Sequence, residues 1–86
     1  MITYKIYLYS DPNNPLQVYN KKDNRIVNNP RYLQVLGFID KQGYPISIFD
    51  LPQEPNLKGT SIVLLTKRGE IKTLSSKVKE IREIVL

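Results

Sequence analysis

SSKVKEIREIVL, residues 75–86, is the stretch on which the fold turns. Val78, Ile81 and Ile84 with Val85 recur at steps of three and four, the spacing of one helix face, and Ser75 or Ser76 is placed to cap a first turn. The spacing predicts a C-terminal amphipathic helix of about three turns, too short to stand alone in water and therefore packed on something else.

The rest of the chain has the opposite period. Residues 2–9, ITYKIYLY, alternate strictly, with Ile2, Tyr4, Ile6 and Leu8 on one side and Thr3, Lys5, Tyr7 and Tyr9 on the other, the pattern of a half-buried strand. Ser10 to Pro15 is a loop by its prolines and asparagines. Leu16–Asn20 and Arg25–Asn28 form a short hairpin around Lys21-Lys22-Asp23-Asn24, ended by Asn28-Asn29-Pro30. RYLQVLGFI (31–39) and YPISIF (44–49) form a clearer hairpin, in which Pro45, lacking an N–H, belongs on an edge. DLPQEPNLKG (50–59) is a long connection. Ser61–Thr66 and Glu70–Leu74 make a third hairpin around Lys67-Arg68-Gly69, and Ile62–Leu65, apolar on both faces, makes its first strand central.

These readings give one domain over residues 1–86: a β-rich α+β fold, a small antiparallel barrel or strongly curved sheet of hairpins with one C-terminal amphipathic helix packed on it. A two-layer open sheet with one helix is the alternative. The expected core is Tyr4, Ile6, Leu8, Val35, Ile46, Ile48, Ile62, Leu64, Ile71, Val78, Ile81 and Val85. At this length about 60% of the unfolded chain's surface is hidden on folding, so stability should be modest.

Composition removes several kinds of chemistry. There is no cysteine and no histidine, hence no disulfide, no thiolate nucleophile, no imidazole base and no usual zinc ligand. The eight carboxylates fall mostly in turns or in the C-terminal segment, and neither a GxxxxGK[ST] nor a GxGxxG loop occurs. The expectation is a protein that is not an enzyme and holds no metal or cofactor. No apolar run approaches the ~20 residues of a membrane span and no signal-peptide layout opens the chain, so it reads as soluble and cytoplasmic, away from membranes. The Asn, Lys, Ile and Tyr content suits an AT-rich genome such as that of a virus or plasmid.

Net charge is +5, unevenly spread: +3 over residues 1–32, −2 over 33–57 and +4 over 58–86. If the chain ends meet, the molecule has a basic side, which attracts polyanions. DNA or RNA is therefore the first partner expected, bound with little sequence preference. Lys5, Lys21, Lys22, Lys67, Arg68 and Lys72 would meet phosphates, and Tyr7 and Tyr9 could stack on bases. The competing account of these residues is bland: Tyr side chains pack against neighbours, and lysines at turns keep edges soluble.

A second class is a protein-binding regulator or inhibitor. It would act through Leu51, Pro52, Pro55 and Leu57 of the long connection, through an edge strand that could also pair with a second copy to give a homodimer, or through the C-terminal helix. Here the bland account is that Leu51 and Leu57 anchor the connection to the core.

Overall fold

The computed structural model describes residues 2–9, 17–51 and 56–85. Seven strands run antiparallel to their neighbours: β1 (Ile2–Leu8), β2 (Gln17–Asn20), β3 (Arg25–Val27), β4 (Tyr32–Ile39), β5 (Pro45–Ser47), β6 (Ser61–Thr66) and β7 (Ile71–Val85). They form one open sheet in the order β3-β2-β1-β7-β6-β4-β5. A 3₁₀ turn, Ile48–Asp50, follows β5, with the Ser47 hydroxyl accepting from the Phe49 N–H at 3.3 Å.

The C-terminal helix and the α+β class expected from the sequence are wrong. The segment is strand, and the described residues contain no α-helix. Ile71 and Val85, expected in the core, are 71% and 76% exposed. A register shift explains the misreading. Leu8 faces Val78, Tyr7 faces Glu80 and Ile6 faces Ile81, so Lys79 is an extra residue with no partner on β1. This β-bulge stretches the two-residue spacing of inward side chains to three, which imitates a helix face. The barrel is also corrected, since β3 and β5 remain as separate edges and the sheet does not close.

β7 is the spine of the molecule. Its first half pairs with β6 and its second half with β1, so the two basic ends of the chain do lie side by side. Fifteen extended residues would span about 50 Å at the strand rise, whereas the longest dimension of the molecule is 33 Å. The strand must bend. Besides Lys79, a further irregularity sets four steps of β7, Thr73 to Lys77, against two steps of β6, Val63 to Ser61. Around the bend, Val78 N–H donates to Thr60 O at 2.8 Å, Gly59 N–H donates to Val78 O at 2.7 Å, and Tyr9 N–H donates to Lys77 O at 2.9 Å. Two bulges on β4, at Leu33 and Leu36, add curvature there and separate the buried Val35 and Phe38 by three positions.

With no α-helix among the described residues to cover it, the sheet buries its apolar face against itself. One cluster joins Tyr4, Ile6 and Leu8 of β1, Tyr19 of β2, Ile26 of β3 and Val78 of β7 to Val35 and Phe38 of β4, Ile62 and Leu64 of β6, and Ile48 and Leu57 from the connections. Tyr4 and Tyr19, directly opposed across β1 and β2, stack with ring centroids 5.7 Å apart. Burial and the neighbouring Tyr4 push the Tyr19 phenol up to about 12. Burial, then Glu83, raises the Tyr4 phenol. Ile46 and Ile81 pack at the margin of this cluster, half-buried.

Turn chemistry follows the sequence closely. The Asn20 side-chain oxygen, Oδ1, accepts from the backbone N–H of Lys22 at 3.0 Å, and Asn24 closes that turn with φ 52°. The Asp40 carboxylate accepts from the N–H groups of Gln42 at 2.9 Å and Tyr44 at 2.8 Å. Pro45 lies on the edge strand β5, as its missing N–H requires. The Ser10–Pro15 loop and Leu16 lie outside the described residues, as do Pro52 and Pro55.

Candidate functional site

The hairpin tip between β6 and β7 is held closed by Thr66. Its backbone N–H donates to Glu70 O at 2.8 Å and its hydroxyl accepts from Glu70 N–H at 3.1 Å, while Gly69 turns the chain at φ 85°. The tip is exposed but not free-standing. Lys67 N–H donates to Arg31 O at 3.2 Å, docking the tip on the connection between β3 and β4. That connection is itself shaped by Asn28, at φ 63°, and by Asn29, whose side-chain oxygen accepts from Arg31 N–H at 2.9 Å.

Two adjoining hollows flank this contact, each of about 460 Å³, and share Pro30, Tyr32 and Lys67 in their walls. Arg25 lines one; Arg31, Arg68 and Lys72 line the other, with Glu70 as the sole carboxylate of either wall among the described residues. All five cations are exposed, and none forms an ion pair among the described residues. Tyr32 stands half-buried between the hollows, opposite Thr66, with its inner side against the core.

The structure therefore brings Lys67, Arg68 and Lys72 together and adds Arg25, Arg31 and Tyr32, which the linear pattern does not single out. Their only local signal is a cation on each side of the Asn-Asn-Pro break, since the tip that meets them is distant in sequence. The other expected residues lie elsewhere. Lys21 and Lys22 occupy the turn at the far end of β3. A third hairpin turn, β4–β5, carries Lys41 at the opposite end of β4 and β6 from Lys67, so the cations of the hairpin turns do not share one side.

Lys5 and Tyr7 are on the outer face of β1, beside Val18 and Arg82 and beside Glu80 respectively. Arg82 covers the Tyr7 ring, its guanidinium carbon 5.3 Å from the centroid, and its Nε donates to Glu80 Oε1 at 2.6 Å. That hydrogen bond holds the Glu80 carboxyl below its ordinary range and the Arg82 guanidinium above its own. Tyr7 is thus a cross-strand neighbour with one ring face occupied. Tyr9 is 48% exposed at the end of β1.

Of the second expected set, Leu57 is buried in the core, and its carbonyl accepts from the Thr60 hydroxyl at 2.7 Å. Leu51 is half-buried against the same cluster. The exposed apolar groups in this region are instead Tyr44 and Phe49, 68% and 85% exposed, on either side of edge strand β5.

No group of His, Cys, Asp and Glu among the described residues is arranged to hold a metal ion, and none of the described helices is long and apolar enough to cross a membrane. The chain matches no protein-family model, and neither the curated proteins nor the solved structures include a significant match.

Proposed function

We propose that this chain is a cytoplasmic nucleic-acid-binding protein that holds phosphates, with little sequence preference, in the groove between the β6–β7 tip and the β3–β4 connection. The observation that carries this reading is the gathering of Arg25, Arg31, Lys67, Arg68 and Lys72 around two adjoining hollows with a single carboxylate among the described residues that line them. Like charges repel, so folding alone offers no reason to collect five of them from three separate segments; a polyanion supplies one by releasing its condensed counterions when they bind.

The test is fluorescence anisotropy of a labelled oligonucleotide across a salt series, comparing the natural chain with the Lys67→Ser/Arg68→Ser double variant. Binding should weaken linearly in log salt. Two lost phosphate contacts should flatten the slope by roughly 1.4 for a single strand or 1.8 for a duplex. Absence of binding at low salt overturns the proposal.

A second reading keeps one observation in its favour. Edge strand β5, flanked by the exposed Tyr44 and Phe49 and by a hollow of about 310 Å³ lined by Leu36, Phe38, Ile46 and Val63, could add a strand from a protein partner. Such binding would be nearly indifferent to salt.

A further inference from the structure

We infer that the groove takes single-stranded rather than duplex nucleic acid, with Tyr32 as the platform on which one base stacks while the surrounding cations hold the phosphates on either side. This rests on the nucleic-acid reading above and narrows it.

Reading a duplex directly requires an element that enters the major groove, either an α-helix or a two-stranded ribbon. The described residues contain no α-helix. The cationic ribbon that borders the groove, β6–β7, is tied back at its tip by the Lys67–Arg31 backbone bond, and its Thr66 is paired with Tyr32. It cannot project into a groove without breaking both. A duplex also carries its phosphates on a convex outer surface with its bases stacked inside, whereas here the aromatic group stands between two hollows, with the cations around it. A single strand can drop an unstacked base into such a concavity while its backbone follows the rim.

The choice of Tyr32 follows from what the other rings are doing. Tyr4 and Tyr19 stack on each other in the core, Tyr7 has Arg82 over its face, Phe38 is buried, and the exposed Tyr9, Tyr44 and Phe49 line neither hollow. Tyr32 enters neither kind of contact among the described residues, although its inner side is braced by the core. A braced ring loses little freedom when a base stacks on it. Of the polar side chains lining the hollows, the Asn29 side-chain oxygen already accepts from Arg31 N–H and the Thr66 hydroxyl from Glu70 N–H. Stacking without edge hydrogen bonds accepts any base, in keeping with weak sequence preference.

The experiment measures anisotropy at fixed low salt with labelled oligothymidine and oligouridine of about 16 nucleotides, the upper range of small single-strand sites, and with a mixed-sequence duplex of equal length. One or both single strands should bind at least tenfold more tightly than the duplex. The Tyr32→Leu variant keeps apolar bulk at the core margin and should lose roughly tenfold in single-strand affinity, with its salt slope unchanged. Tyr32→Phe should stay within about twofold, because it keeps the ring. Duplex binding equal to or tighter than both single strands, with a normal salt slope, overturns this inference and leaves the phosphate site standing. Equal affinities for Tyr32→Leu and Tyr32→Phe remove the stacking platform. Failure of every oligonucleotide to bind overturns the nucleic-acid reading itself. The comparison of strands uses the natural chain and so does not depend on whether Tyr32→Leu folds.

Discussion

Replacing Val78 by Ala tests the central feature of the fold, the bulged strand β7. Val78 is fully buried, faces Leu8 across the sheet, and lies where Gly59 and Thr60 bond to its own backbone. The substitution removes two methyl groups, at about 0.8 kcal/mol each for transfer, and leaves a small cavity, for a total of about 2–3 kcal/mol. A domain of this size has roughly 4–13 kcal/mol of stability, so the loss is a large fraction of it and should lower Tm by about 10–20 °C. Val85→Ala is the control. At 76% exposure its loss should stay within about 0.5 kcal/mol. Ile81→Ala should fall between the two, because that side chain is half-buried opposite Ile6. Urea titrations followed by far-UV circular dichroism give the midpoints. A helix would place Val78, Ile81 and Val85 on one buried stripe, so equal losses at Val78 and Val85 would refute the strand and its register.

Gly37→Ala should also destabilise, by about 1–3 kcal/mol. A Cβ there would meet the Ile46 carbonyl oxygen at 2.3 Å, so β5 must move, and amide exchange should quicken at Ile46 and Ser47 before it does at β1 and β7. Above pH 10 the fold should weaken: the Tyr19 phenol ionises near 10 when unfolded but near 12 when folded, so stability present below pH 10 is lost as pH rises towards 12. Tyr4 acts in the same direction. Urea midpoints at pH 8 and above pH 10 should separate for the natural chain and converge in part for Tyr19→Phe, which at neutral pH should cost little because the Tyr19 hydroxyl has no hydrogen-bond partner among the described residues. Lys67→Ser/Arg68→Ser should leave the urea midpoint within the equivalent of about 0.5 kcal/mol, both side chains being exposed and outside any ion pair among the described residues. Gly69→Ala should cost about 1 kcal/mol through its left-handed φ of 85°, with nothing among the described residues within 4 Å of the new methyl group.

The amino-acid sequence by itself determines the local elements whose physics is local. Strict alternation makes β1 a strand with Tyr4, Ile6 and Leu8 inward. Gly43 and Gly69 mark turns that need positive φ, Asp40 and Asn20 supply their own turn hydrogen bonds, and Pro45 goes to an edge because it cannot donate. Tertiary structure alone decides the rest. Lys79, an unpaired residue opposite the Tyr7–Leu8 step, turns a strand period into an apparent helix period, and Leu33 and Leu36 do the same along β4. Whether an inward spacing of three means a helix or a bulge depends on a partner strand that the local pattern does not contain. The cationic groove is of the same kind. It exists because the Lys67 N–H finds the Arg31 carbonyl, joining two turns distant along the chain, and no periodicity in either segment records that they meet.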